Sequence, residues 1–173
     1  MLEAWCVTDI IDTVATRVSG IGADSPIAAA LSLRSDILTM TEQAHDAALK
    51  PAVSGGFSHA ERAALSCRMA RLSGEVGLAA HFMELMSAAG AVADVQRIAD
   101  PELKHEPDRR LAAILRHTDL VTVRPSAAVA EDIKALAAAG VGEDDIVRLS
   151  ELAAFVSYQI RLTVGLRLLG ASE

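Results

Sequence analysis

The sequence predicts an all-α protein that forms a single domain, and three observations support this prediction. The 173 residues suit one sizeable hydrophobic core. Hydrophobic residues make up 51% of the chain but aromatic residues only 3%, so the core must consist mainly of Ala, Leu, Val, Ile and Met, whose side chains allow helices to pack closely. Apolar residues recur at helical spacing, and no strand-like alternation of any length competes with them.

Helix start and stop signals divide the chain. The clearest start is Ser58-His-Ala-Glu61, a capping box in which two side chains satisfy two free backbone N–H groups. The clearest stop is Gly140, which follows an Ala-rich stretch. Residues 51–57 contain two adjacent glycines and are predicted to form a loop, and residues 100–107, with two prolines, a linker. The predicted helices cover residues 9–18, 24–49, 58–72, 75–90, 91–98, 110–121, 126–139 and 143–169.

The last helix is expected to be the longest. It begins with three consecutive acidic residues, which suit the positive end of the helix dipole. Its apolar residues then recur at spacings of three and four, which predicts one face turned to the core. These residues are Ile146, Leu149, Ala153, Val156 and Ile160.

Charge and cysteine content exclude several classes of protein. The net charge of −7 leaves no basic field of the kind that binds nucleic acid. Cys6 and Cys67 are far apart and form no disulfide framework, which favours reduced thiols. Glu3 stands where a signal peptide would have Lys or Arg, and no run of 18 apolar residues predicts a membrane span. We therefore expect a cytoplasmic protein without membrane or nucleic-acid partners.

Two stretches of the chain resemble one protein family. Residues 61–81 read ERAALSCRMARLSGEVGLAAH, like a helix that leads into a Cys-x-x-Cys-x-x-x-His motif at the start of the next helix. Residues 110–166 include LAAILRHTDL, DIKALAAAGV, DIVRLS and FVSYQIR. Together they resemble the carboxymuconolactone decarboxylase/AhpD-like family, in its peroxidase-related branch. The resemblance covers roughly half of the chain, and the second stretch is the more specific.

The resemblance implies an AhpD-like helical bundle that assembles into homo-oligomers. It also implies a single domain over residues 1–173, with an N-terminal helical extension (1–57), a degenerate pair of active-site helices (58–90) and a C-terminal helical segment (108–170). In family members with the complete motif, two thiols at the head of a helix reduce a peroxide, and a His and an upstream Glu transfer protons. A helix N-terminus and a nearby base favour the reactive thiolate.

The present sequence departs from that motif at three of its four positions. Gly77 and Gly74 lie four and seven residues before His81, where the family has its cysteines. Arg62 lies where the family has its proton-relay Glu, and Glu61 is one place off, roughly 100° around a helix. Because glycine cannot form a thiolate or a disulfide, we expect no dithiol peroxidase activity.

Four residues remain as candidates for a site. His81 occupies the family's His position and could act as an acid or base, although an apolar helix also suits a packed core histidine. Arg68 could bind a carboxylate, or it could form a salt bridge. Gln159 and Arg161 could contact a substrate, line an interface or pair within the chain, because polar groups inside an apolar helix need partners.

Other features have simpler explanations. Cys67 lies in the middle of a helix and is expected to be an inert buried thiol. The five histidines show no close ligand spacing and no Cys-x-x-Cys occurs, so neither a metal site nor a cofactor is expected.

The sequence is compatible with three functions. The first is a non-peroxidatic family member that binds a small molecule or an AhpD-like partner subunit. The second is a thiol-independent enzyme like the decarboxylase branch, which acts on lactone acids, with His81 as acid or base and Arg68 or Arg161 holding a carboxylate. The third is an alkylhydroperoxidase-related oxidoreductase whose thiols come from a partner. Whether the chain is an enzyme therefore remains a question for its structure.

Overall fold

A computed structural model describes residues 11–103 and 105–171 of the chain, and these residues form helices and no strands. The predicted all-α fold class is confirmed. The N-terminal part of the predicted helix 9–18, together with Cys6, lies outside the described residues. The helices are α1 (Val14–Ser19), α2 (Pro26–Ser32), α3 (Ser35–Leu49), α4 (His59–Leu72), α5 (Val76–Ala88), α6 (Ala93–Gln96), α7 (Arg109–Val123), α8 (Ala130–Ala138) and α9 (Glu143–Ala171), with short 3-10 helices at Arg97–Ala99 and Pro125–Ala127.

Helix α4 lies at the centre of the molecule. It packs most extensively along α5 and also contacts α3, α7 and α9. Ten of its fourteen residues are buried, and many of these are small, which lets the neighbouring helices approach closely. The predicted capping box begins this helix: Ser58 Oγ accepts a hydrogen bond from Glu61 N at 3.2 Å, and Glu61 Oε2 accepts one from Ser58 N at 2.8 Å.

Two predicted helices are each divided in the structure. Residues 24–49 form α2 and α3, because the two parts face different apolar clusters: Ala28 packs with Ala15, Ile21 and Leu166, whereas Leu49 belongs to the main core. Residues 126–139 are divided at Val129, whose backbone N–H donates to the side chain of Asp132 and so begins α8 separately. The chain contains no glycine or proline at either interruption, so neither break had a local signal.

The last helix runs as predicted. Ile146, Leu149, Ala153 and Val156 of the predicted stripe are buried, and Ile160 packs against the core. By length and composition alone α9 could cross a membrane, but buried core helices meet the same criterion. Because eight of its residues are buried in the helical core, we describe α9 as a core helix.

Two polar contacts hold the loop between α3 and α4 in place, one from the buried Arg62 and one at the surface. The guanidinium of Arg62 donates to the carbonyl oxygens of Ala48, Ser54 and Phe57 at 3.0–3.3 Å. On the other side of the loop, Asp145 Oδ1 accepts a hydrogen bond from Gly56 N at 2.9 Å. Arg62, at the position that the resemblance aligns with a proton-relay Glu, therefore has a structural role in this chain.

Gly56→Ala should destabilise the protein by about 2 kcal/mol, because the new Cβ would lie 1.9 Å from Asp145 Oδ2 and would displace that carboxylate from its hydrogen bonds. The matched control is Gly165→Ala inside α9, where no atom lies within 4 Å of the new Cβ. The control should stabilise the protein by roughly 0.5–1 kcal/mol through helix propensity. Urea unfolding of both variants measures the two changes, and equal effects would contradict the role of Gly56.

Candidate functional site

Gly74 and Gly77, the positions that the resemblance aligns with two cysteines, serve to end one helix and begin the next. Gly74 has a φ of 73° and closes α4: its backbone N–H donates to Arg71 O, and that of Glu75 donates to Ala70 O at 2.8 Å. A Cys at Gly74 would adopt a left-handed conformation that L residues avoid. At Gly77, a Cβ would lie 2.8 Å from Val18 Cγ1. The backbone and α1 therefore both favour glycine in this segment.

An ion pair occupies the head of α5. Glu75, the residue before the first helical turn, is buried, and its two carboxylate oxygens accept hydrogen bonds from Arg167 of α9 at 3.1 and 2.7 Å. A bidentate contact of this kind links α5 to the end of α9. No thiol shares this position within the part of the chain that the structure describes.

Cys67 is a packed core residue. Its Sγ donates to Ala79 O at 3.5 Å, and burial raises the pKa of the thiol above its ordinary value, only partly opposed by the nearby Arg71 cation. A thiol with a raised pKa holds little thiolate at neutral pH, and the thiolate is the nucleophile. The sequence-based interpretation of Cys67 as an inert thiol therefore agrees with its surroundings.

His81 does not stand alone, because a second imidazole lies against it. Nε2 of His81 is 3.0 Å from Nε2 of His45 on α3, and both rings are buried. Nδ1 of His81 is 3.4 Å from an Nη atom of Arg17 on α1, and Nδ1 of His45 is 3.2 Å from Oδ1 of Asp46. Three helices thus bring two histidines, a cation and a carboxylate into one row.

The two ends of this row determine the tautomers between them. A guanidinium only donates hydrogen bonds, so Nδ1 of His81 must accept from Arg17. A carboxylate only accepts, so Nδ1 of His45 must carry the proton that it donates to Asp46. In neutral rings the remaining proton then sits on Nε2 of His81, which donates to Nε2 of His45. We call these four residues the imidazole row; all of its hydrogen bonds run in one direction, from Arg17 to Asp46.

Burial keeps both imidazoles uncharged. It lowers the pKa of His81 to about 4, and the neighbouring His45, Arg17 and Lys50 add to that effect. Burial also lowers the pKa of His45, although its hydrogen bond to Asp46 opposes this. Burial disfavours a charge on either ring, and two adjacent protonated rings would in addition repel one another.

This geometry limits what His81 can do chemically. Both of its ring nitrogens are already engaged, one with His45 and one with Arg17, and its side chain is nearly enclosed. A base whose pKa lies near 4 is also weak at neutral pH. His81 could relay a proton along the row, but a substrate would first have to displace one of its partners.

The other predicted site residues lie elsewhere. Arg68 is fully buried, and its Nε and Nη2 donate to the two carboxylate oxygens of Asp119 at 2.6 and 2.7 Å, while Nη1 donates to the carbonyls of Ile98 and Asp100. Because these acceptors already bind Nε, Nη1 and Nη2, Arg68 has no free pair of N–H groups for a substrate carboxylate. The structure does not bring Arg68 into contact with His81, and we assign it a structural ion pair.

Gln159 and Arg161 lie on opposite sides of α9. Gln159 is completely buried, and neither its amide oxygen nor its amide nitrogen has a protein partner among the described residues. It lies one turn after Phe155, whose ring contacts His45 edge-on with centroids 6.1 Å apart. Arg161 is exposed and lines a groove with His117 of α7. The two residues therefore do not form a joint site.

His45 and Arg17 were missed by the sequence analysis. A signal for His45 exists: it shares one face of α3 with Leu38, Thr41 and Leu49, all buried, at spacings of three and four. A histidine in such a stripe points into the core and needs a polar partner there. Arg17 offers no comparable pattern. Among the described residues, no group of three or more His, Cys, Asp or Glu side chains could hold a metal ion.

The imidazole row makes the protein sensitive to acid. Since the pKa of His81 is about 4 when folded and near 6.5 in model peptides, the unfolded state binds more protons below pH 6.5. The free energy of unfolding should therefore fall as the pH is lowered, with His81 alone contributing about 2 kcal/mol between pH 7 and pH 5. Urea unfolding at both pH values measures the change.

His81→Gln, which keeps a donor for His45 but cannot titrate, should reduce this loss of stability. The matched control is His59→Gln, an exposed histidine that contacts only Pro51 O in the structure. An unchanged pH dependence in His81→Gln would show that the folded protein tolerates a charged His81.

No family model, no curated protein and no solved structure matches the chain. The chemistry of the site therefore rests on the residues of this chain alone.

Proposed function

We propose that the chain is an AhpD-like helical protein that has lost the dithiol peroxidase site and works by binding a small molecule or a partner subunit. The observation that carries the proposal is the chemistry at the head of α5. Gly74 ends a helix in a left-handed conformation, Gly77 lies against Val18, and the buried Glu75 pairs with Arg167. A peroxidatic thiol has no place there, and the raised pKa of Cys67 makes that residue a poor substitute.

A thiol-independent enzyme with His81 as acid or base is the second function considered. The observation in its favour is the contact with His45, because a second imidazole could carry a proton towards the exposed Asp46. The engaged nitrogens of His81 and its pKa of about 4 argue against it. Binding is therefore the function that the geometry supports better.

Purified protein should consume no hydroperoxide in the presence of a dithiol reductant. The assay is the disappearance of tert-butyl hydroperoxide, and the matched control is the double variant Cys6→Ser/Cys67→Ser. Both proteins should match the blank, because burial raises the pKa of the Cys67 thiol and the described residues place no cysteine at a helix N-terminus beside a histidine. Turnover that the wild type shows and the double variant lacks would overturn the proposal. Turnover that appears only with an added Cys-x-x-Cys relative would point to the partner-thiol function instead.

We also propose a homo-oligomer in the cytoplasm, without a cofactor and without nucleic-acid or membrane partners. Two large apolar side chains on the outer face of α5, Val76 and Met83, support self-association because they are exposed at 81% and 42%. They flank an open apolar groove that also includes Ala79 and Ala80. An exposed apolar patch of this kind is typical of a contact between subunits.

Met83→Glu should shift the protein towards monomers, because a charge in an apolar contact would have to be desolvated. Sedimentation velocity over a range of concentrations measures the distribution. The matched control is Leu33→Glu, which introduces the same charge at an exposed apolar residue between α2 and α3. A monomeric wild type, or an equal effect of both variants, would contradict the role of α5 in assembly.

A further inference from the structure

A groove between α7 and α9 lies apart from the imidazole row. It has a volume of about 400 Å³, which is within the range of small-molecule sites. Val121 of α7 and the adjacent Ala153 and Ala154 of α9 give it apolar walls. His117 and Arg161 bring a neutral and a charged polar group to the same groove. The groove thus combines apolar area with a small number of converging polar groups.

His117 is a polar side chain without a protein partner. The residue is only 5% exposed, and its Nδ1 has no hydrogen-bond partner among the described residues. Burial lowers the pKa of this imidazole, so it is neutral at physiological pH. A buried nitrogen that lacks a partner costs about 1–3 kcal/mol. No protein contact fixes the tautomer of the ring, so Nε2, the nitrogen that is not enclosed, can act as either a donor or an acceptor towards a ligand.

Among the described residues that line the groove, Arg161 is the one with a charged side chain. One Nη atom donates to Ser157 O at 3.1 Å, one turn earlier on α9. Within residues 11–103 and 105–171 no carboxylate lies within ion-pair distance of this guanidinium. The remaining N–H groups are therefore available to an anion from solvent. An Arg fork matches the planar geometry of a carboxylate.

These features identify one class of ligand. A single cation balances a single negative charge, whereas inorganic phosphate carries more than one negative charge at neutral pH. The apolar walls suit a hydrocarbon or aromatic body next to that charge. The free imidazole suits a ligand that has one further hydroxyl or carbonyl group. A small organic monocarboxylate meets all three conditions.

We propose that the groove between α7 and α9 binds a small organic monocarboxylate, with its carboxylate on Arg161, its body against Val121, Ala153 and Ala154, and a polar substituent on His117. This assignment names the ligand that the proposed binding function leaves open, and to that extent it rests on that function. The peroxide assay and a binding titration are separate measurements, so each proposal can fail while the other stands.

The probes are benzoate, 3-hydroxybenzoate, benzamide and inorganic phosphate, each titrated into the full chain and followed by NMR of the alanine methyl groups. Benzoate should shift the signals of Ala153 and Ala154 and saturate in the millimolar range. Benzamide, which has the same shape without the charge, should bind about tenfold more weakly, and phosphate should leave these signals unchanged. Equal binding of benzamide or of phosphate would overturn the assignment.

Arg161→Gln should weaken benzoate binding about tenfold, because the complex loses one charge-assisted hydrogen bond. Arg161 is exposed, so this substitution leaves the core intact. The matched control is Arg34→Gln, which removes the same charge from an exposed arginine between α2 and α3 and should change nothing. Unchanged binding in Arg161→Gln would overturn the proposal.

His117 is tested by the difference between two ligands. The wild type should bind 3-hydroxybenzoate more tightly than benzoate, and His117→Phe should abolish that preference without loss of benzoate binding. His117→Gln, which restores a polar group, should recover part of the preference. Thermal unfolding confirms that each variant is folded. A preference that survives in His117→Phe would remove His117 from the site.

Discussion

The burial of α4 on nearly every side is the constraint on which the rest of the structure depends. Two of the three arginines in this helix, Arg62 and Arg68, are buried, and a buried guanidinium costs several kcal/mol unless acceptors surround it. Arg62 obtains the carbonyl oxygens of Ala48, Ser54 and Phe57, and Arg68 obtains Asp119 together with the carbonyls of Ile98 and Asp100. The two buried charges therefore tie α4 to the end of α3 and the loop that follows it, to α7 and to the segment around Asp100.

This constraint also decides where chemistry can occur. Because α4 is packed on all sides, Cys67 lies against α5 as a buried thiol, and α4 ends at Gly74 in a turn that only glycine adopts easily. His81 lies on α5, and α1 and α3 close over it. These N-terminal helices give it Arg17 and His45 as partners, so its side chain faces protein rather than solvent.

The features that the sequence predicted correctly are those that depend on residues close together in the chain. The capping box at Ser58 and the stop at Gly140 depend on residues within one turn, and both appear in the structure. The break after Ser32 depends on which apolar cluster each half-helix meets, so no local signal marks it. The break at Val129 coincides with a hydrogen bond to the side chain of Asp132, and no glycine or proline accompanies it. The contact between His45 and His81 joins residues 36 positions apart, and the sequence shows only that His45 belongs to a buried stripe. Likewise, the partner of Arg68 could not be identified before α7 was placed beside α4.

Polar groups that lack protein partners then distinguish structure from function. Glu61, Arg62 and Arg68 all have partners within the chain, and a satisfied group adds stability without recognising anything else. His117 and Arg161 differ: one carries a buried nitrogen without an acceptor or donor, the other a cation without a carboxylate, and both line the same groove. The unpaired Nδ1 of His117 costs stability, whereas water solvates the exposed guanidinium of Arg161 in the free protein. A ligand carboxylate that replaces this water on Arg161 would gain affinity from a charge-assisted hydrogen bond, which is why we propose recognition on α7 and α9 rather than beside His81 on α5.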